Sequence, residues 1–156
     1  MKLEQLIETL SGVMGGNFTV EDGACTIAVD DMVVNILEVV ETNTVLMYAK
    51  IGEHPAEDNV GKLAESMLAA NHMFQGTFGA TISYNQEDRC YYLNRYDDLD
   101  SINGDKFLKI LENFVNTLEM WRKLVVDYRP SYDDEKNAAD ASATAAVPDL
   151  GGFMQV

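Results

Sequence analysis

Three strand-like runs stand so close together along this chain that only antiparallel pairing can join them. They are CTIAV from Cys25 to Val29, VVNILEVV from Val33 to Val40, and TVLMYAKI from Thr44 to Ile51. Their connections are short and polar: Asp30-Asp31, then Glu41-Thr42-Asn43. A parallel crossover needs a dozen or more residues, so these links and the β-branched content predict an antiparallel meander.

Helical periodicity brackets the meander. Leu3, Leu6, Ile7 and Leu10 form one stripe, predicting a first helix over about Lys2 to Val13, ended by Gly12, Gly15 and Gly16. After Pro55, the stripe Val60, Leu63, Ala64, Met67, Leu68 and Asn71 predicts a second helix from about Asn59 to Phe74. Glu57, Asp58 and Asn59 supply acidic or capping groups at its start, and Gly76 and Gly79 close it. A strand pair follows, Thr81 to Asn85 and Cys90 to Tyr96, turning around Gln86, Glu87 and Asp88. Phe107, Leu111, Phe114, Leu118, Trp121 and Val125 then mark a long third helix, about Gly104 to Val126. The expected architecture is a single α+β domain over residues 1–127. Its order is helix-strand-strand-strand-helix-strand-strand-helix, with an antiparallel sheet packed by helices.

The character changes after Val126. Residues 128–156 contain Pro130, the acidic run Asp133-Asp134-Glu135 and the stretch AADASATAA. Such a composition buries too little apolar surface to offset chain entropy, and predicts a flexible acidic, Ala-rich tail. Here charge enters the argument. The chain carries 11 Lys+Arg against 26 Asp+Glu, a formal −15. The tail holds two basic and five acidic residues, so nine basic and 21 acidic precede it, and a net −12 belongs to the folded body. That balance argues against nucleic acid and against an anionic membrane surface as partners, since both are held by Lys and Arg. No secretory leader is visible in MKLEQLIETLSG, where Glu4 and Glu8 interrupt the apolar stripe, and no run approaches the length of a membrane span. Cytoplasmic residence is the expectation. Cys25 and Cys90 lack a CxxC partner and are too few for a structural zinc site. Free buried thiols are the favoured reading, with a disulfide between them left open.

Catalytic chemistry finds little footing. His54 and His72 are the only histidines, and neither has a second ligand one helical turn away. His54 precedes Pro55 and reads as solvent-exposed; His72 reads as a packing or interface residue. Asp98, Asp100, Asn103 and Gly104 resemble a calcium loop, but the register fails. Counting from Asp98, the fifth position is Ile102, the sixth Asn103 rather than Gly, and the twelfth Lys109 rather than Glu. A turn capped by Ser101 or Asn103 explains the segment better. Gly12, Gly15 and Gly16 match no phosphate-binding pattern and follow a helix, not a strand. No catalytic residue, metal site or cofactor is expected.

The strands themselves carry the stronger signal. Val33, Asn35, Leu37 and Val39 share one face of the second strand; Val34, Ile36, Glu38 and Val40 share the other. On the third, Val45, Met47, Ala49 and Ile51 oppose Leu46, Tyr48 and Lys50. Both faces are mostly apolar, whereas a sheet covered on one side alternates cleanly. Cover on both faces by helices, cover by dimerisation, and an exposed surface that receives an unfolded segment all fit this pattern. Eight methionines add adaptable apolar surface.

The ordered set of segments resembles the Tir-chaperone family, the class I chaperones of bacterial type III secretion. LEQLIETLSG is similar to that family's first helix. LAESMLAANHMFQGTFGATISYN, Leu63 to Asn85, is similar to its second helix and following strand, with a pattern at Leu68, Asn71 and Phe74. CYYLNRYDDLDSINGDKFLKILENFVNTLEMW, Cys90 to Trp121, is similar to its last strand, linker and final helix. The resemblance implies a homodimer that binds the N-terminal segment of a secreted effector, holds it soluble without catalysis, and in some members also binds a regulator of the system. It implies a dimer contact at Leu68, Asn71, His72, Ile82 and Tyr84. It implies effector contact through the first helix and central strands, at Leu6, Leu10, Val34, Ile36, Leu46 and Tyr48. The competing readings are a YbjN-like regulatory binding module of the same fold, and a small enzyme with a pocket converging on His72 or Cys90.

Overall fold

The computed structural model describes residues 2–56 and 61–129. In chain order the elements are α1 (Leu3–Met14), β1 (Ala24–Val29), β2 (Met32–Val39), β3 (Thr44–Glu53), α2 (Lys62–Asn71), β4 (Thr81–Asn85), β5 (Cys90–Asp98) and α3 (Gly104–Asp127). One antiparallel sheet runs β1-β2-β3-β5-β4. The order of elements and the fold class are those expected from the sequence. The expected tail lies outside the described residues apart from Tyr128 and Arg129, and so do Glu57 to Val60 at the start of the second helix.

α1 forms because Leu3, Leu6, Ile7 and Leu10 fall on one stripe, and all four are buried. Its N-terminus receives Glu38: the Leu3 amide donates to Glu38 Oε2 at 3.2 Å. A carboxylate at a helix N-terminus satisfies an orphan amide and meets the positive end of the helix dipole. This explains why an acidic residue interrupts the apolar face of β2. α1 ends at Gly15, whose φ of 68° suits a residue without Cβ. α3 starts where Asn103 Oδ1 accepts from the Lys106 amide at 2.9 Å, so Asn103 is the cap. Its Phe107, Leu111, Phe114, Leu118, Trp121 and Val125 are all buried, as the spacing predicts.

α1 and α3 cover one face of the sheet. The core beneath them holds Ile27, Val34, Ile36, Val45, Met47, Ala49 and Leu93. Four of the expected effector contacts are part of this core. Leu6 and Val34 and Ile36 are 0% exposed and Leu10 is 1% exposed, so none of them offers a surface to a partner. The physical reason is strand alternation: once two helices lie on the Val34 and Ile36 face, only the neighbouring residues reach solvent.

α2 ends earlier than the expected Phe74. It stops at Asn71, and His72–Phe74 forms a 3-10 turn in which Met73 and Phe74 take φ of 54° and 56°. Leu63 and Met67 are buried, but Leu68 is 70% exposed, so this helix packs by a narrow stripe only. Cys25 and Cys90 are buried free thiols, and burial pushes the Cys25 thiol above its usual range. No helix among the described residues is long and apolar enough to cross a membrane.

Candidate functional site

Among the described residues, one open apolar surface lies beside α2 and another on the outer face of the sheet. The first is a cavity of about 320 Å³ between α2 and the β4–β5 hairpin, lined by Met67, Leu68, Asn71, Ile82, Tyr84, Tyr91 and His54 among others. Four of the five expected dimer contacts therefore line one space: Leu68, Asn71, Ile82 and Tyr84. His72 does not; it is exposed on the turn that follows α2.

Asn71 organises this cavity. Its Nδ2 donates to the Ile82 carbonyl at 3.0 Å, and its Oδ1 accepts from the Ile82 amide at 2.8 Å. Ile82 faces Leu93 across the ladder, and both its backbone groups turn away from β5 toward the free edge. The side-chain amide thus takes the place of a neighbouring strand at that point. On the cavity wall Leu68 is 70% and Tyr84 46% exposed, and on the turn that follows α2 Met73, Phe74 and Phe78 are exposed too.

His54, expected to be merely solvent-exposed, is half-buried here. Its Nδ1 lies 2.7 Å from the Tyr91 hydroxyl, and its ring centroid is 6.1 Å from that of Tyr84. Tyr84 and Tyr91 are themselves 5.2 Å apart. A register shift between Lys50 and Gly52 brings this end of β3 alongside Tyr91 and Cys90. Nothing in local sequence signals such a bulge, which is why the residue was missed. At the same end of the hairpin the Tyr92 hydroxyl donates to the Asp88 carboxylate. That bond holds the Asp88 carboxyl below its ordinary range and raises the Tyr92 phenol above its own.

The second surface is the outer sheet face. Cross-strand pairing sets Leu37 opposite Leu46, Leu46 opposite Tyr96, and Tyr48 between Asn35 and Asn94. Leu46 and Tyr48, the two remaining expected effector contacts, lie here and are half-buried. Val33 is 53% and Tyr96 64% exposed on the same face. The two-faced apolar strands thus have separate causes: helices cover one side, and the other stays open in the single chain. At one border of this face lies the edge of β1. Val29 and Met32 close a two-residue hairpin, and the Glu38 amide donates to the Gly23 carbonyl at 2.8 Å. This phase directs the backbone groups of Thr26 and Ala28 outward, where the Ala24 groups already pair with Glu21.

A five-stranded antiparallel sheet with two helices on one face and a third beside the edge hairpin defines the class: an α+β fold with open apolar surface. The model of the Tir chaperone protein (CesT) family matches residues 5–122, and the chain belongs to that family. No curated protein matches it. Among solved structures it is similar to the ExsC–ExsE complex, with a TM-score of 0.65 and 17% identity, covering 80% of this chain and 97% of that one. It is also similar to the Yersinia pestis type III secretion chaperone SycH in complex with a fragment of YscM2. There the TM-score is 0.61 and the identity 14%, over 76% of this chain and 98% of that one. YbjN from E. coli aligns at a TM-score of 0.53 and 15% identity, over 86% of this chain and 90% of that one. Identities this low show a shared fold.

Proposed function

We propose that this chain is a class I type III secretion chaperone. It binds the N-terminal segment of a secreted effector in the cytoplasm and keeps that segment soluble and competent for export. It acts as a homodimer and by binding alone, without a catalytic step. The observation that carries this reading is the family match across residues 5–122. Solved relatives in complex with a second protein, such as the HopA1–SchA chaperone–effector complex, support it. YbjN shares the fold at a lower TM-score than these complexes and no specific feature of this chain favours that reading.

The surfaces divide the work. The α2–β4 cavity is the self-association surface: it is apolar, and among the described residues that line it none carries a carboxylate. Two bodies of net negative charge approach each other at least cost through such a patch. The outer face around Leu37, Leu46, Tyr48 and Tyr96 receives the effector, together with the β1 edge. There Thr26 and Ala28 offer backbone groups for an added strand, while Asn71 blocks the β4 edge.

Co-expression with each secreted protein encoded beside it, followed by sedimentation analysis, tests the proposal. The expected result is a dimer alone and a complex of one effector fragment per two chains. A strict monomer that binds none of those proteins would overturn it.

A further inference from the structure

Charge is unevenly distributed around the outer sheet face. Rows of side chains cross this face at right angles to the strands. Leu37, Leu46 and Tyr96 stand in one row, each opposite the next across the ladder. Phe74, which shares a cavity of about 510 Å³ with Tyr96, extends that apolar row on the β4 side. The next row is polar but uncharged: Thr26, Asn35, Tyr48, Asn94 and Thr81. Its groups find partners within the sheet. The Thr26 hydroxyl donates to Asn35 Oδ1 at 3.0 Å, and Asn94 Nδ2 donates to the Ser83 hydroxyl at 2.6 Å. In the third row Lys50 stands opposite Tyr92, whose hydroxyl donates to the Asp88 carboxylate. A cation and an anion therefore offset each other at that end. The end beyond the apolar row differs. Asp98 pairs with Thr44 there, two residues past Tyr96 and Leu46 and so on the same face. Glu41 lies in the turn that joins β2 to β3, and Glu21 and Asp22 continue the border beside β1. Glu41 and Asp98 are exposed, and among the described residues neither pairs with a lysine or arginine.

We propose that the polypeptide segment received by this face carries Lys or Arg directly beside its apolar residues, and lies with those cations against Glu41 and Asp98. This assignment rests on the effector reading of the face and adds the partner's charge and its direction. Apolar side chains of the segment cover the row from Leu37 to Tyr96, and that burial supplies most of the affinity. Exposed charge pairs at the border contribute little to affinity and act instead on orientation and encounter rate. An acidic segment is repelled at the same border. The opposite end, where Lys50 and Asp88 offset each other, sets no such demand, so the segment has one favoured direction across the sheet.

Two synthetic peptides test it, KRLSVTISG and EELSVTISG, alike in their apolar residues and opposite in charge. Each is titrated into the ¹⁵N-labelled full chain while the amides of Leu37, Leu46 and Tyr96 are followed by NMR. At about 20 mM salt KRLSVTISG should bind at least ~fivefold more tightly, and about 500 mM salt should close the gap by screening. Glu41→Gln combined with Asp98→Asn should abolish the difference. Both positions are exposed, and Asp98→Asn keeps the Oδ1 that accepts from the Asp100 amide, so the fold is retained. Glu4→Gln with Glu8→Gln, exposed on α1, should leave the difference in place. Equal affinities for the unmodified chain, or a difference that survives Glu41→Gln with Asp98→Asn, would overturn the charge assignment while the face stands as a receptor. If neither peptide shifts those amides, the effector reading of this face falls together with it. Shifts of the same amides on dilution of the chain alone would mean that a second copy covers the face, and would overturn both.

Discussion

The side-chain amide of Asn71 pairs with both backbone groups of Ile82, at 3.0 Å and 2.8 Å, and so finishes the edge of β4 as another strand would. Ile82 is 6% exposed, so water does not readily replace those bonds. Asn71→Ala removes both at once. The expected loss is about 1–3 kcal/mol in urea denaturation, from a buried donor and acceptor left unsatisfied. Asn71→Asp keeps the acceptor but loses the donor to the Ile82 carbonyl, and should also destabilise the fold. If Asn71→Ala unfolds at the wild-type urea midpoint, the amide is not acting as an edge.

The two sides of the central strands should respond oppositely to substitution. Ile36→Ala opens a cavity under α1 and α3 and should cost about 2–5 kcal/mol. Tyr48→Ala, on the outer face, should shift stability by less than about 1 kcal/mol. If that face receives the partner, Leu46→Asp or Tyr48→Ala weakens binding by about tenfold or more while circular dichroism is unchanged. Thermal melts read the stability changes, and isothermal titration with an effector fragment reads the loss of binding.

Leu68 gives a clean probe of self-association because its side chain contributes little to the core. Leu68→Asp should convert a dimer to a monomer in sedimentation velocity without lowering the melting temperature by more than a few degrees. Persistence of the dimer in that variant and in Tyr84→Asp would place the interface elsewhere.

Asp88 and Tyr92 predict a pH effect of definite sign. The Tyr92 hydroxyl stabilises the Asp88 carboxylate, so its folded pKa lies below the unfolded one. The associated stabilisation is present above the unfolded carboxyl value, about 3.9, and fades as pH falls through the folded value. Tyr92→Phe should raise the Asp88 pKa, followed by carboxyl ¹³C titration. An unchanged titration would show that the hydroxyl is not the cause.

Trp121 is the only tryptophan, and its Nε1 donates to the Gly76 carbonyl at 2.9 Å. Gly76 has no room for a side chain, because a Cβ there would meet Ala70 Cβ at 2.6 Å and its Cα at 3.1 Å. Gly76→Ala should therefore destabilise the turn after α2 and move Trp121 emission to longer wavelength. Gly12→Ala should do the reverse. That position lies inside α1 with nothing within 4 Å of a built Cβ, so alanine should add about 0.5–1 kcal/mol of helix stability.

Much of the architecture was legible in residue order, and the failures have identifiable causes. The stripe from Phe107 to Val125 reads as a buried helix because its period is set by covalent geometry alone. The links Asp30-Asp31 and Glu41-Thr42-Asn43 leave only antiparallel pairing. The expected extension of the second helix to Phe74 fails, since Met73 and Phe74 take positive φ, which no stripe of side chains reveals. The bulge that carries His54 to Tyr91 left no local trace.

Residue order alone sets the order of elements, the antiparallel connectivity, the acidic body and the apolar character of both strand faces. Which face is core depends on long-range packing. Alternation along a strand makes two sets of side chains but does not label them. The label comes from where α1 and α3 land, and that depends on contacts between residues far apart in the chain. The packing buried Leu6, Leu10, Val34 and Ile36 and left Leu46 and Tyr48 on the outer side. It likewise turned Asn71 from one more member of a helical stripe into the residue that closes the sheet.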